Sequence, residues 1–311
     1  MIVFHKYQGA GNDFLIADNR CGAISSHDGV LEWTQDGKTC SLSISRICDR
    51  RYGVGADGLM LLESSQDYDF KMVYFNSDGS GGMMCGNGGR CIVAFAADCG
   101  IRSFRFEAAD GEHRAEILQG LPDSDGKVPE PSRDPVKTVR LKMKDVCQWT
   151  HYESLSGVSV PSDGYFLDTG TRHFVRMVSS LGTYPVVEHG RDIRYNGTQL
   201  QPVGANVNFV EPFSGGISVR TYEKGVEDET FACGTGIVAS CLAAYIASKG
   251  DEDKGVSINP QDGADGRVRF DVRALRDELS VDFLPSDDGM CFSDIWLTGP
   301  ATFVADVLVR P

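Results

Sequence analysis

Two runs of apolar residues, each opening directly after a cysteine and a glycine-containing turn, dominate the hydrophobic pattern of this chain. The first follows Cys85-Gly-Asn-Gly-Gly-Arg90 and covers residues 92–97, and the second follows Cys233-Gly-Thr-Gly-Ile237. Charges are scarce on every face of both runs, as is typical of helices enclosed by other structure. The pattern predicts two buried helices that end at Gly100 and Gly250, because glycine readily takes the positive φ of a helix C-terminus.

Short stretches with the alternation of strands fill most of the remaining chain. An amphipathic helix is predicted at residues 41–52, from apolar residues at Leu42, Ile44, Ile47 and Cys48, and a linker or long surface loop at 120–135. Strands are predicted at residues 1–4, 14–18, 59–62, 70–75, 103–107, 113–118, 139–143, 165–168, 174–178, 206–210, 217–222, 268–272, 279–283 and 295–309.

These elements predict an α+β (α/β) fold of two pseudo-symmetric domains. Each domain is expected to be a curled, mostly antiparallel sheet around one central hydrophobic helix, with the active site in the cleft between the domains. A chain of 311 residues with 41% hydrophobic residues fits two cores better than one. The predicted division places residues 1–133 and 297–311 in the domain that carries Cys85, and residues 134–296 in the domain that carries Cys233.

Charge and cysteine usage restrict the function classes. The net charge is −14, which disfavours nucleic acid and anionic membrane surfaces as partners. The strand-like start and the lack of a long apolar run predict a cytoplasmic protein without a membrane span. Ten cysteines without a C-x-x-C pair predict reduced thiols and no metal site. Most of them, including Cys48, Cys91, Cys99, Cys147 and Cys241, are expected to be small buried hydrophobes.

Cys85 and Cys233 have a different setting, because each opens a predicted helix. Free backbone N–H groups and the positive end of the helix dipole favour a thiolate or a bound carboxylate there. The pattern therefore indicates two acid/base thiols beside an anion site. The segment Gly53-Val-Gly-Ala-Asp-Gly58 matches G-x-G-x-x-G, but a strand-like stretch follows it, so a nicotinamide or flavin cofactor is not expected.

At these residues the sequence resembles the diaminopimelate epimerase family over nearly its whole length. The resemblance rests on several short motifs in the family's order: GAGNDF at 9–14, GVGADG at 53–58, FNSDGS at 75–80, MCGNGGRC at 84–91, GANVNF at 204–209, RTYEKG at 220–225 and ACGTG at 232–236. It implies cofactor-independent inversion of LL-2,6-diaminopimelate to the meso isomer in lysine and peptidoglycan biosynthesis, by an enzyme that is often a homodimer.

The resemblance also implies the site residues. Cys85 and Cys233 match the two acid/base groups, and the α-carboxylate matches a cradle formed by Gly86, Asn87, Gly234 and Thr235. Further positions match substrate contacts: Asn12, Asn76, Thr171, Asn206, Glu223 and Lys224. His173 matches a supporting position beside the site. No cofactor and no metal are expected.

The chemistry of inversion agrees with this assignment. An amino-acid α-proton is a very weak acid, so without pyridoxal phosphate the developing carbanion must be stabilised by preorganised donors around the carboxylate. Inversion removes the proton on one face and delivers one on the other, so it needs one thiolate and one thiol. The resemblance makes Cys85 the base for the LL substrate, whereas the residues alone leave the order open.

Three positions depart from the family's pattern. Lys224 stands where an arginine is common, Arg172 replaces a proline, and Gly58 stands where some members carry glutamine. The first two fall where the family holds the distal end of its substrate. Two alternatives therefore stay open, a two-cysteine racemase of another amino acid, such as a proline-racemase-like enzyme, and a catalytically silent binding protein of this fold. Exchange of the α-proton with deuterated solvent separates the enzymes from the silent protein, and substrate profiling separates the two enzymes.

Overall fold

The computed structural model describes residues 2–120, 135–250, 261–263 and 265–310. Most of the predicted linker, residues 121–134, lies outside them. The chain divides into two compact units, one formed by Met1–Leu141 with Gly299–Pro311 and the other by Lys142–Thr298. None of the helices in the described ranges is long and apolar enough to cross a membrane.

In its described residues the first unit contains ten strands, two helices and the last part of a further strand, β20, that begins in the second unit. Its elements in chain order are β1 (Ile2–Gly9), β2 (Asn12–Asp18), β3 (Ile24–His27), β4 (Val30–Gln35), β5 (Lys38–Ser43), α1 (Ile44–Cys48), β6 (Gly58–Glu63), β7 (Phe70–Asn76), α2 (Gly86–Asp98), β8 (Arg105–Ala108), β9 (Gly111–Gln119) and β10 (Val136–Lys142), with β20 (Phe292–Val309).

Seven strands of this unit form a continuous sheet that curls around α2. β1 pairs with β2, β2 with β6, β6 with β7, β7 with β8, β8 with β9 and β9 with β10. β20 pairs with both β1 and β10, which closes the strands into a ring. Residues 86–97 of α2 are all buried, so the prediction of an enclosed helix is confirmed, and Gly100 follows the helix with φ 90°.

The predicted amphipathic helix at residues 41–52 is wrong in its extent. Residues up to Ser43 belong to β5, and only Ile44–Cys48 are helical, with the hydroxyl of Ser43 accepting from the N–H of Arg46. β3, β4 and β5 form a small antiparallel sheet that the sequence did not predict. Together with α1 it covers the face of β2 that carries Leu15 and Ala17. The side chains of β2 at residues 14–17 are buried on both faces for this reason.

The second unit repeats this arrangement with the start of β20 as its last strand. Its other elements are β11 (Trp149–Tyr152), β12 (Gly164–Asp168), β13 (Arg172–Met177), α3 (Val186–Asn196), β14 (Asn206–Phe213), β15 (Gly216–Glu223), β16 (Asp228–Thr230), α4 (Gly234–Gly250), β17 (Gln261–Asp262), β18 (Val268–Arg273) and β19 (Glu278–Pro285). The second hydrophobic helix is thereby confirmed, and its residues 236–244 are buried.

The order of strand pairings shows the internal symmetry. From β1 to β10 the six successive pairings are antiparallel, parallel, antiparallel, parallel, antiparallel and antiparallel. From β12 through β13, β14, β15, β18 and β19 to β20 the six pairings follow the same sequence. In each unit the cysteine-bearing helix follows the fourth strand of this series, so α2 and α4 are equivalent elements of a duplicated α+β fold.

The second unit also contains a helix that the expectation of one helix per half missed. α3 presents only a narrow buried stripe, Val186, Gly190 and Ile193, which is a weak periodic signal. It packs against β14 and β15. Gly190 permits the close approach, because a Cβ there would lie 2.3 Å from Cβ of Tyr222.

Candidate active site

Cys85 lies at the N-terminus of α2 as its capping residue. Its backbone is extended, with φ −110° and ψ 150°, and its Sγ accepts the N–H of Gly88 at 3.2 Å. A Cβ at Gly88 would lie 3.2 Å from the same sulfur, so a side chain there would require the thiol to shift. The next groups along the terminus, the N–H groups of Gly86 and Asn87, are those that a helix start offers to an anion. The first unit therefore places a thiol beside the N–H groups of a helix start.

A chain of oriented amides adjoins Cys85. The guanidinium of Arg90 donates to Oδ1 of Asn87 at 2.9 Å, Nδ2 of Asn87 donates to Oδ1 of Asn12 at 2.6 Å, and Nδ2 of Asn12 donates to Oδ2 of Asp57 at 3.0 Å. Guanidinium groups only donate and ionised carboxylates only accept, so the two ends fix which atom of each amide is oxygen and which is nitrogen. Arg90, although charged, is fully buried in α2.

The carboxylate end of this chain is held by a cluster of charged side chains. Nη2 of Arg50 donates at 2.6 Å to Oδ1 of Asp57 and at 2.6 Å to Oδ1 of Asp13, and Nζ of Lys6 lies 2.8 Å from Oδ2 of Asp13. Burial alone would raise the pKa of Asp13, but the hydrogen bonds from Arg50 and Lys6 outweigh it and lower that pKa. Asp13 is therefore anionic near neutral pH, and Asp57, held by Arg50, accepts from Asn12.

Asn76, the remaining predicted substrate contact of the first unit, is the last residue of β7. Its Nδ2 donates to Oγ of Ser80 at 3.0 Å, so its side chain is engaged within its own turn.

Tyr74, two residues before Asn76, packs over Gly58, where a Cβ would lie only 2.4 Å from the Tyr74 ring. Burial raises the pKa of Tyr74, and the charge of Cys85 adds to the effect. Any larger residue at position 58 would collide with this phenol. The packing of Tyr74 therefore accounts for the glycine that stands where some family members carry glutamine.

Cys233 occupies the equivalent position before α4. It is 9% exposed, and its carbonyl accepts the first helical bond, from the N–H of Ile237 at 2.8 Å. Its Sγ lies 3.5 Å from Oγ1 of Thr235. The N–H groups of Gly234 and Thr235 correspond to those of Gly86 and Asn87 in the first unit. The second unit thus also carries a thiol at a helix start, with a hydroxyl beside the sulfur.

A polar chain leads from the core of the second unit to this hydroxyl. Thr221 donates to Oδ1 of Asn208 at 2.9 Å, and Nδ2 of Asn208 lies 3.1 Å from Nδ1 of His173. Nε2 of His173 lies 2.9 Å from Oγ1 of Thr171 and 3.0 Å from Oγ1 of Thr235.

This chain of hydrogen bonds determines the tautomer of His173. Since the Asn208 amide is the donor to Nδ1, the ring carries its hydrogen on Nε2 and donates to a threonine hydroxyl. The side chain is fully buried, and burial lowers its pKa to about 3. His173 is therefore neutral near pH 7, and it orients Thr171 and Thr235 without exchanging protons itself.

The residues predicted for the distal end of the substrate lie where β13, β14 and β15 begin or end. Asn206, beside His173 in the parallel pair of β13 and β14, donates to the carbonyl of Arg172 at 3.1 Å and accepts the N–H of Lys224 at 2.8 Å. Glu223 accepts from Thr230 at 2.8 Å, and burial raises its pKa. Lys224 is exposed, and the Arg172 guanidinium stacks 4.9 Å from the centre of the Phe166 ring.

The structure thus brings Cys85, Asn87 and Asn12 into one cluster, and Cys233, Thr235, Thr171 and His173 into another. It adds participants that the sequence did not single out: Lys6, Asp13, Arg50, Asp57, Tyr74, Arg90, Asn208 and Thr221. Asp57 lies in the segment with the G-x-G-x-x-G match, which runs into strand β6 and not into a helix, as expected. Asn12 and Asp57 each stand two residues before a predicted strand, which is a local signal that could have linked Asp57 to the site.

Comparison with known sequences identifies the diaminopimelate epimerase family. Residues 4–121 match the family model described as diaminopimelate epimerase. The chain is 37% identical over 308 residues to the diaminopimelate epimerase of Flavobacterium psychrophilum, covering 98% of this chain and 99% of the relative.

Solved structures share the fold at low sequence identity. A phenazine biosynthesis protein of the PhzF family from Bacillus anthracis is 15% identical, with a TM-score of 0.62 over 100% of this chain and 99% of that one. A probable proline racemase from Agrobacterium radiobacter K84 is 15% identical, with a TM-score of 0.60 over 100% and 93% of the two chains. At this identity the two structures support the two-domain α+β fold alone.

Proposed function

Since this chain belongs to the diaminopimelate epimerase family, we propose that it inverts the α-carbon of LL-2,6-diaminopimelate to give the meso isomer, with Cys85 and Cys233 as the two acid/base groups. The observation that carries the proposal is the duplication itself. Each unit places a cysteine at the N-terminus of a buried helix, at the same point of the same strand sequence. A reaction that needs two equivalent acid/base groups fits a fold that supplies one from each copy.

In the proposed reaction one cysteine, as thiolate, removes the α-proton and becomes a thiol. The other cysteine, as thiol, delivers a proton to the opposite face and becomes the thiolate. One turnover therefore exchanges the protonation states of the two sulfurs. The resemblance makes Cys85 the base for the LL isomer, and Cys233 then takes that role in the reverse direction.

The carbanion that forms between these two steps is stabilised through the substrate's α-carboxylate. The N–H groups of Gly86, Asn87, Gly234 and Thr235 are the proposed donors, and Asn12 adds a side-chain amide. Asp57 and Arg90 hold the amides of Asn12 and Asn87 in fixed orientations before the substrate binds. Preorganised donors need no rearrangement as charge develops, which is the condition for lowering the barrier.

The distal amino and carboxylate groups of the substrate are assigned to the second unit. Glu223 is a half-buried carboxylate whose pKa is raised by burial, so an ammonium group would stabilise its anionic form. Lys224 is the proposed partner of the distal carboxylate, while Asn206 fixes its backbone and Thr171 stands beside His173. Asn76 is proposed to contact the substrate from the first unit after its bond to Ser80 is exchanged.

The test is to incubate the purified protein with LL-diaminopimelate in deuterated buffer without added cofactor, and to follow the products by chiral chromatography and mass spectrometry. The proposal requires the meso isomer to accumulate with one deuterium at the inverted carbon. A preparation of Cys85→Ala/Cys233→Ala is the matched blank. Exchange and inversion of L-proline, with no turnover of diaminopimelate, would instead identify a racemase of another amino acid.

We also propose, from the family resemblance, that the enzyme works in the cytoplasm as a homodimer. Light scattering of the eluted protein tests the oligomeric state, because a dimer has twice the mass of one chain. Fractionation of the producing cells tests the location. Neither result bears on the assignment of the two cysteines.

A further inference from the structure

A second pair of cysteines lies in the second unit, apart from both helix starts. Cys147 follows Val146, and Cys291 precedes Phe292, the first residue of β20. Cys147 is exposed, so the expectation that it is a buried thiol is wrong, and Cys291 is half-buried. The segment before β11 reaches the start of β20 here, and this places the two cysteines next to each other.

The backbone fixes how the two cysteines face. Val146 and Phe292 form an antiparallel bridge in which each N–H donates to the other's carbonyl, at 2.9 Å and 2.7 Å. Hydrogen-bonded and non-hydrogen-bonded pairs alternate in an antiparallel ladder, so continuing this bridge by one residue makes Cys147 and Cys291 a pair of the second kind, for which ideal geometry gives a Cα separation of about 4.5 Å. Nε1 of Trp149 donates to the carbonyl of Gly289 at 3.3 Å, two positions further on, and so supports this register.

That spacing suits a disulfide, because bridged cysteines have Cα atoms roughly 4.4–6.8 Å apart. A hydrogen bond to Cys147 is the main cause that raises the pKa of Cys291 to about 11. Cys147 is the more exposed of the two, so its sulfur is the one that a solute reaches first.

We propose that Cys147 and Cys291 are a site of reversible oxidation, at which a hydroperoxide converts the two thiols into a disulfide across the strand pair. The Cys147 sulfur attacks one peroxide oxygen and the O–O bond breaks, which gives a sulfenic acid and, from hydrogen peroxide, one water. The Cys291 sulfur then displaces the hydroxyl of that sulfenic acid as a second water. In balance, two thiols lose two electrons and two protons, and one hydrogen peroxide is reduced to two waters.

Burial separates three other cysteines from this pair, and a fourth is exposed as Cys147 is. Cys48, Cys91 and Cys241 are buried, and burial raises the pKa of each thiol, which disfavours the reactive thiolate. Cys21 is also exposed and lies in the first unit. It is therefore the matched control for exposure without this strand register.

The experiment treats reduced, desalted protein with a small excess of hydrogen peroxide, blocks remaining thiols with iodoacetamide, and maps a non-reduced digest by mass spectrometry. We expect one peptide pair joined through Cys147 and Cys291, within a single chain on a non-reducing gel, and its loss after dithiothreitol. Cys147→Ser should abolish the pair and leave Cys291 alkylatable, whereas Cys21→Ser should leave the pair unchanged.

The proposal fails if Cys147 and Cys291 both remain alkylatable after a treatment that oxidises Cys21. It also fails if either is joined to a different cysteine or to a second chain. Cys291→Ser provides the reciprocal check, because it should trap Cys147 as the sulfenic acid, detectable with dimedone. The readout is the linkage itself, so it does not depend on the assignment of the active site.

Discussion

The side-chain amide of Asn87 donates a 2.6 Å hydrogen bond to Oδ1 of Asn12, although the two residues belong to α2 and β2. This bond is the centre of a chain with Arg90 at one end and Asp57 at the other. Because a donor-only group and an acceptor-only group end the chain, neither amide can flip without losing a bond to a charge. The relationship links the core of the first unit to the group proposed to hold the substrate's carboxylate.

The first prediction concerns Asp57, the acceptor end of that chain. Asp57→Asn conserves size but permits its own amide to donate, so Asn12 loses its fixed orientation. A hydrogen bond to a charged group contributes roughly 1.5–3 kcal/mol, which corresponds to about a 10–100-fold loss in kcat/KM. Steady-state kinetics of the variant measure it. Asp67→Asn, an exposed carboxylate of the same unit, is the control and should match the wild type.

The second prediction concerns the two thiols. Cys85→Ala and Cys233→Ala should each lower the rate of inversion by at least about 10²–10⁴-fold, the range for one general acid or base, because inversion needs both faces of the carbon served. Chiral chromatography measures the rate, and circular dichroism checks the fold. If either variant, well folded, inverted its substrate at close to the wild-type rate, the two-thiol assignment would be wrong. Cys21→Ala should leave the rate unchanged.

The parts of the fold that the sequence predicted are those with a strong local signal. The apolar runs of α2 and α4 have no polar face, so they must be enclosed wherever they lie. α3 and the small sheet of β3–β5 were missed because their buried stripes are narrow and polar residues surround them. The helix predicted at residues 41–52 covers only Ile44–Cys48 in the structure, because Leu42 pairs with Leu31 in the small sheet instead.

The polar network of the site was beyond sequence reasoning for a different reason. Asn12, Asp57 and Asn87 meet only because β2 pairs in parallel with β6, with Phe14 opposite Gly58, and α2 packs on both strands. No local pattern encodes that register. The two cysteines, in contrast, lie in a motif that occurs twice in the sequence. The proposed reactive groups were therefore predictable, whereas the polar residues that orient the site were not.

The third prediction concerns His173 and pH. In the unfolded chain its imidazole has the ordinary pKa near 6.5, whereas burial lowers the pKa to about 3 in the folded protein. Between these values the unfolded state binds more protons, so this contribution to stability is complete above about pH 6.5 and falls by up to about 1.4 kcal/mol per pH unit below it. Carboxylates such as Glu227, with a pKa lowered to about 2 from 4.5, add their losses only at lower pH.

Urea unfolding from about pH 7 to about pH 5 measures this slope. His173→Gln should be less stable at pH 7 but should lose less stability on acidification, while His27→Gln, an exposed histidine, should keep the wild-type slope. An unchanged slope in His173→Gln would show that the imidazole titrates normally in the folded protein. The pH profile of kcat/KM should show no ionisation of His173 above about pH 5.

The fourth prediction concerns Lys224, the exposed cation proposed to hold the distal carboxylate. Lys224→Ala should reduce kcat/KM by about 10–100-fold, since a hydrogen bond to a charged group is worth roughly 1.5–3 kcal/mol. Lys224→Arg should retain activity or tighten binding, because a guanidinium can grip a carboxylate with two bonds. Lys38→Ala in the first unit is the control. Unchanged kinetics of Lys224→Ala would remove this side chain from the site.

The last prediction concerns Gly236, in the first turn of α4. A Cβ added there would lie 2.5 Å from Oδ1 of Asn208 and 3.2 Å from Cε1 of His173, the two groups that orient the threonine hydroxyls beside Cys233. Glycine to alanine in a helix is ordinarily stabilising by about 1 kcal/mol. Here the added methyl must displace the buried polar chain, so Gly236→Ala should instead destabilise by about 1–3 kcal/mol, the range for overpacking.

The test is decisive because the expected effect of Gly236→Ala on the unfolding free energy has the opposite sign to the ordinary effect of this substitution in a helix. Urea unfolding of Gly236→Ala is compared with Gly182→Ala, where a Cβ would meet no atom within 4 Å, and only the first should lower the unfolding free energy. Because the clash reaches the Asn208–His173 pair, Gly236→Ala should also lower kcat more than its loss of stability explains, in assays where the variant remains folded. A stabilised, fully active Gly236→Ala would mean that the polar chain has room to move and does not position Thr235.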